Sequence, residues 1–138
     1  MAPAIPKKKW LEKPAPTIKI SEAEIQDQLN DLLEAYGIEY IRIPDGVWRW
    51  IMFNAPATIQ AYFKKTFQGI PDNVCFLPID DKYYLAIKLE LKTATGQLHG
   101  RQKYFAKTQN WIISRSTDDN IRIINEFLDK AKTMRRKL

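Results

Sequence analysis

From Tyr83 to Lys92 the chain alternates: Leu85, Ile87, Leu89 and Leu91 occupy one parity, and Lys88, Glu90 and Lys92 the other. Successive side chains of a strand point to opposite faces, so this run is a β-strand with one apolar and one charged face. The apolar face needs a cover, and helical patterns stand on both sides of it along the chain.

The first of these begins at Ser21, where Ser21 and Glu24 form an S-x-x-E capping box. Ile25, Leu29, Leu32, Leu33 and Tyr36 follow at helical spacing, and Gly37 closes the helix. Glu39–Pro44 reads as a short strand. Asp45-Gly46 is a turn signal, and the β-prone, aromatic run Val47–Phe53 is expected to complete a hairpin. Ile59, Tyr62, Phe63 and Phe67 space as a short helix. Asn73–Pro78 is a strand joined to Tyr83–Lys92 through an Asp80-Asp81 turn. A loop holding Gly96 leads to a helix from about Leu98 to Lys107, followed by a strand over Asn110–Ser114. Thr117 or Asp118 is expected to cap a last helix that buries Ile121, Ile124, Phe127, Leu128 and Ala131. The order is that of an α/β domain.

The chain has 138 residues, the size of one domain, and is 45% hydrophobic, enough to build a core. No run approaches the ~18 apolar residues of a membrane span. The N-terminus lacks the apolar stretch of a secretory signal, and Cys75 is the lone cysteine, which excludes an internal disulfide and a cysteine-built zinc site. A cytoplasmic, membrane-free protein is expected. The net charge of +6 is uneven: residues 1–20 carry +4 and residues 130–138 carry +5, leaving the body at −3. Basic ends around a slightly acidic body suit a phosphate-binding protein that keeps carboxylates for a metal, and equally suit plain solvated tails. Residues 1–19 hold four of the eight prolines and five lysines, and read as a basic arm ahead of a single domain over residues 20–138.

Glu-x-Lys on a strand is a weak signal by itself, since a solvated face often looks the same. Its upstream neighbour adds weight. Gly69-Ile70-Pro71 fixes a turn immediately before Asn73–Pro78, so Asp72 enters that strand in a defined orientation. Two antiparallel strands can then set Asp72 beside Glu90. Two close carboxylates repel unless a cation lies between them, and a hard divalent ion with oxygen ligands answers that need. The Leu91 carbonyl adds a further oxygen. Lys92, on the face of Glu90, can hold a water or stabilise charge on phosphorus.

Gly69-Ile70-Pro71-Asp72, then Glu90-Leu91-Lys92, then Gly96-Gln97-Leu98-His99-Gly100-Arg101-Gln102-Lys103, together with Glu22-Ala23-Glu24-Ile25 near the start, resemble the VRR-NUC branch of the PD-(D/E)xK nuclease superfamily. Four elements (E-x-x-I, G-x-P-D, E-L-K, and a Gly loop with Q-K) occur in the order that the family shows. The likeness spans Ser21 to Leu128. It implies a restriction-endonuclease-like core: a central mixed sheet flanked by helices in αβββαβ order, plus a C-terminal helix. It also implies Mg²⁺ or Mn²⁺ as cofactor, held by Asp72, Glu90 and the Leu91 carbonyl, and DNA as substrate, in branched forms such as junctions, flaps or forks. Two features depart from the pattern. The span from Tyr40 to Gln68 is long for such a domain and is expected to hold an inserted hairpin with Trp48 and Trp50. His99-Gly100 replaces a Ser-Pro-like pair.

The remaining candidates follow from position. Gln102 shares a helix face with Leu98 and Phe105, so its amide needs an inward partner, and the resemblance assigns it to the active site. Glu24 is explained by the cap, whereas Glu22 sits three before Ile25 at the edge of the apolar stripe and fits E-x-x-I. It is assigned to metal binding, where it would recruit a second ion, or to water positioning. Arg101, Lys103 and Lys107 are candidate phosphate contacts, His99 a weaker one. Trp48 and Trp50 would stack on bases, meet a partner, or pack in the core, and Cys75 reads as a small core residue. The leading expectation is a metal-dependent endonuclease. A non-catalytic nucleic-acid-binding module and an RNA-directed nuclease are the alternatives. A homodimer would suit a junction and a monomer a flap.

Overall fold

The computed structural model describes residues 20–138, and the basic arm over 1–19 lies outside them. The described chain is an α/β unit of five helices and a four-stranded mixed sheet. Helix α1 is Glu22–Ala35. Its N-cap Ser21 accepts the Glu24 N–H at 3.2 Å, and two glutamates sit in its first turn where the helix dipole favours them. Gly37 takes φ 66°, the left-handed position after a helix end.

Strands β1 (Glu39–Arg42), β2 (Asn73–Pro78) and β3 (Tyr84–Leu91) form an antiparallel meander. Helix α4 (Gly100–Thr108) carries the chain over so that β4 (Ile112–Ser114) pairs parallel to β3. Helix α5 (Thr117–Lys137) ends the fold. On one sheet face Cys75, Leu77, Ile87, Leu89 and Leu91 pack against Ile25, Leu29 and Leu33 of α1 and Ile123 and Ile124 of α5. Asn120, fully buried in this layer, is satisfied on every side. Its amide donates to the Ile25 carbonyl at 3.0 Å and to Gln28 Oε1 at 2.8 Å, and its Oδ1 accepts from Ser114 Oγ at 2.6 Å.

The central expectation that fails is the hairpin after β1. Asp45–Asn54 is a helix, α2, followed after two residues by α3, Ala57–Phe67. Gly46 does not adopt the positive φ that an Asp-Gly hairpin turn requires, and Val47 and Trp48 both donate to the Pro44 carbonyl as a first helical turn. Helical spacing lets Trp48 lie 5.0 Å from the Phe63 ring, itself 4.6 Å from Phe67, and this stack overrides the β-propensity of the run. Trp48 and Trp50 therefore face different ways rather than sharing a strand face. Two smaller corrections concern α5. Ser116, not Thr117 or Asp118, is the N-cap, accepting the Asp119 N–H at 3.0 Å. Ile123 takes the buried place expected for Ile121, which is 40% exposed.

Candidate functional site

The site forms where β2 begins and β3 ends. Asn73 pairs with Leu89, so one step further Asp72 stands across from Glu90. Directly opposed residues of an antiparallel pair share a face, so both side chains project to the side away from the α1–α5 core. The Asp72 N–H donates to Glu90 Oε2 at 3.2 Å, and the Asp72 carbonyl accepts from Ile43 N–H at 3.0 Å. Asp72 is thus held at the last rung of the ladder.

Its approach is fixed by Gly69. That residue has φ 81°, and a Cβ placed there would meet Phe105 Cδ1 at 3.1 Å. Trp111 Nε1 donates to the Gly69 carbonyl at 2.9 Å. The Gly-Ile-Pro-Asp segment is therefore clamped against α4, which sets where Asp72 points.

Lys92 follows Glu90 on the same face, with Nζ 3.9 Å from Glu90 Oε1. The sequence pattern suggested a solvated charged face, but Glu90 is 3% exposed and Lys92 9%. Withdrawing two charges from water costs several kcal/mol per ion before any attraction offsets it, so a pair kept in this state calls for a reason beyond stability. Backbone direction concerns the Leu91 carbonyl. The Lys92 N–H bonds the Ser114 carbonyl at 2.9 Å on the β4 side. By alternation the Leu91 carbonyl turns towards β2, where continued register would place Pro71, which has no N–H to offer.

A cleft of about 320 Å³ opens beside the two carboxylates, and Lys92 does not line it. Asp72 and Glu90 form one wall, Arg101, Gln102 and Phe105 of α4 another, and Trp48, Lys64 and Phe67 of the α2–α3 pair a third. Of the basic residues expected to touch phosphate, Arg101 lines the cleft, while Lys103 and Lys107 are exposed on α4 and do not line it. Gln102 does face the cleft, and its Oε1 accepts the His99 N–H at 3.1 Å, capping its own helix.

Glu22 is half-buried on the first turn of α1. One turn later on the same helix, Gln26 makes a reciprocal amide pair with Asn73, each bond 2.9 Å, directly beside Asp72. That places Glu22 on the α1 face nearest the start of β2, but not in a shared cluster. Among the described residues no group of three or more His, Cys, Asp or Glu converges as a metal site. Any ion at Asp72 and Glu90 would take its other ligands from backbone and water. Three contributors escaped the sequence reading. Gln26 and Asn73 are buried polar residues whose signal was an amide beside Ile25 in an apolar stripe and an Asn inside an apolar strand. Lys64 lay on the short helix expected over Ile59 to Phe67 and carried no signal of its own. Burial pushes the Cys75 thiol up to about 12, in keeping with an inert core residue.

No family model, curated protein or solved structure matches the chain. Among the described residues, no helix is long and apolar enough to cross a membrane.

Proposed function

We propose that this chain is a divalent-metal-dependent endonuclease of the PD-(D/E)xK type that hydrolyses phosphodiester bonds in branched or otherwise structured DNA. The observation that carries the reading is the Asp72–Glu90–Lys92 group, with Asp72 half-buried and Glu90 and Lys92 buried, its two carboxylates opposed on adjacent strands and its ammonium 3.9 Å from Glu90. With α2 and α3 set aside as an insertion, the elements run α, β, β, β, α, β, with the fourth strand parallel to the third. That is the order expected of a restriction-endonuclease-like core. The motif order described above supports the same assignment.

The donor set fits a hard cation: two carboxylates and a backbone carbonyl, all oxygen, with no thiolate or imidazole. Asp72, Glu90 and the Leu91 carbonyl would hold Mg²⁺ or Mn²⁺, with Glu22 near enough along α1 to serve a second ion. The ion supplies Lewis acidity and charge neutralisation at the phosphate. The chain's own groups do the rest. Lys92 orients the attacking water and faces the charge that grows on the phosphoryl oxygens. Gln102, on exchanging its bond to the His99 N–H, offers an amide to the same water. Arg101 and Lys64 hold the flanking phosphates.

The test is cleavage of labelled branched and linear DNA, with RNA in parallel, in Mg²⁺, Mn²⁺ or EDTA, by the wild type and by Asp72→Ala and Lys92→Ala. Metal-dependent cutting lost in both variants supports the enzyme. Intact substrate under every metal condition, with binding retained, leaves only a nucleic-acid-binding module.

A further inference from the structure

Residues 46–68 form two helices without a single buried side chain. Helices of 10 and 11 residues are marginal alone, so this pair is held up by its inner ring stack of Trp48, Phe63 and Phe67. Its outer side is where the structure departs from ordinary surface chemistry. Trp50 is 63% exposed and Phe53, one turn on, 83%, while on α3 Tyr62 is 72% exposed. Large rings left in solvent on both helices of a pair mark a binding surface. The charge around them selects the partner. Residues 46–71 carry Arg49, Lys64 and Lys65 and no Asp or Glu. A second copy of this surface would bring like charges together, whereas phosphates complement it. The same helix pair also borders the cleft, because its inner side gives Trp48, Lys64 and Phe67 to the cavity that Asp72 and Glu90 line.

We propose that the α2–α3 pair is a stacking platform for unpaired nucleotides: Trp50, Phe53 and Tyr62 take bases on their ring faces, while Arg49, Lys64 and Lys65 follow the backbone into the Asp72–Glu90 cleft. Base stacking on aromatic rings is tolerant of sequence, since every base presents a π-face. This rests on the nuclease reading and narrows its substrate to DNA with a single-stranded segment beside the scissile bond, as in a flap or fork.

The experiment is fluorescence anisotropy of the full chain in EDTA, where no cutting occurs, with a single strand, a flap, and a blunt duplex of equal phosphate number. The wild type should prefer the single strand and the flap. The variant Trp50→Ala/Phe53→Ala should bind the single strand roughly 5- to 100-fold more weakly, with duplex affinity unchanged, and Trp50→Phe should retain most of the wild-type affinity. Tyr62→Ala, in a different helix, gives the same readout should the double variant melt early. The platform is overturned if ring removal leaves single-strand binding intact, or lowers single-strand and duplex binding alike. It is equally overturned if sedimentation without DNA shows a dimer that Trp50→Ala dissolves. A chain that binds single strands through these rings yet never cuts in Mg²⁺ sinks the nuclease reading alone. One that cuts, with ring-independent affinity, sinks the platform alone.

Discussion

Replacing Glu90 by Gln and Lys92 by Met, singly and together, separates a working site from a structural ion pair. Glu90 is 3% exposed and Lys92 9%, and their charged atoms stand 3.9 Å apart. Removing one member leaves the other charge buried, which costs about 3–5 kcal/mol when the pair is tight. At 3.9 Å the attraction is below that of a hydrogen-bonded pair, so the low end of the range is expected, about 3 kcal/mol for each single variant. In a domain of this size that lowers Tm by roughly 10 °C. The double variant buries no charge at this pair, so its loss should fall short of the summed singles by about 1–3 kcal/mol. Activity should not follow stability. Cleavage disappears in all three variants, including the double variant, whose Tm falls by less than the two single losses combined. Thermal melts by circular dichroism and gel-based cleavage in Mg²⁺ give both readings. A double variant that loses less than the summed singles yet still cleaves would refute the reasoning, because the pair would then be structural.

Saturating Mg²⁺ or Mn²⁺ should stabilise the fold, by about 1.4 kcal/mol at ten times the dissociation constant. Asp72→Asn should abolish that shift, and an equal shift in the variant would mean that the ion binds elsewhere. Gly69→Ala forces a Cβ against Phe105 at a φ of 81°, so a loss of about 1–3 kcal/mol is expected. Cleavage should fall further than the folded fraction does, and an unchanged Tm would sink the clamp. The Cys75 thiol is held from its ordinary 9.0 up to about 12 by burial. The native state therefore keeps its proton while the unfolded chain releases it above pH 9. The corresponding stability is whole below pH 9 and is lost as pH rises towards 12. Cys75→Ala should show a flatter decline of Tm between pH 9 and 10.5, and parallel curves would contradict the burial.

What could be read beforehand was whatever obeyed local periodicity. The alternation over Tyr83–Lys92 gave β3, and because Gly69-Ile70-Pro71 ends where β2 begins, the antiparallel register followed closely enough to set Asp72 opposite Glu90. Helix α1 was legible from its cap and its stripe of Ile25, Leu29 and Leu33. Helix α3 showed in the spacing of Ile59, Tyr62, Phe63 and Phe67, but α2 did not. Asp45-Gly46 and the β-prone run after it carry a hairpin signal locally, and only the contact of Trp48 with Phe63, distant in sequence, decides for a helix. The Gln26–Asn73 pair was hidden for the same reason, since each amide is satisfied by a residue 47 positions away.

A binding module and a nuclease make different demands on charge. Holding a polyanion takes cations on the surface, where desolvation is slight and salt sets the affinity. That need is met by Arg101, Lys103 and Lys107 on α4 and by the basic end of α5, and none of it requires a carboxylate below the surface. Glu90 and Lys92 work against mere binding, because an acid at the floor of the cleft repels phosphate and a buried ammonium reaches little of it. Hydrolysis requires such an arrangement: an anionic pocket that concentrates a divalent ion beside a positive group, shielded from water so that each interaction acts at low dielectric. Gly69, Pro71, the Trp111–Gly69 bond and the Gln26–Asn73 pair all hold the strand ends that carry these charges. Rigidity concentrated around two buried charges is what positioning for chemistry demands, and a charged surface has no use for it.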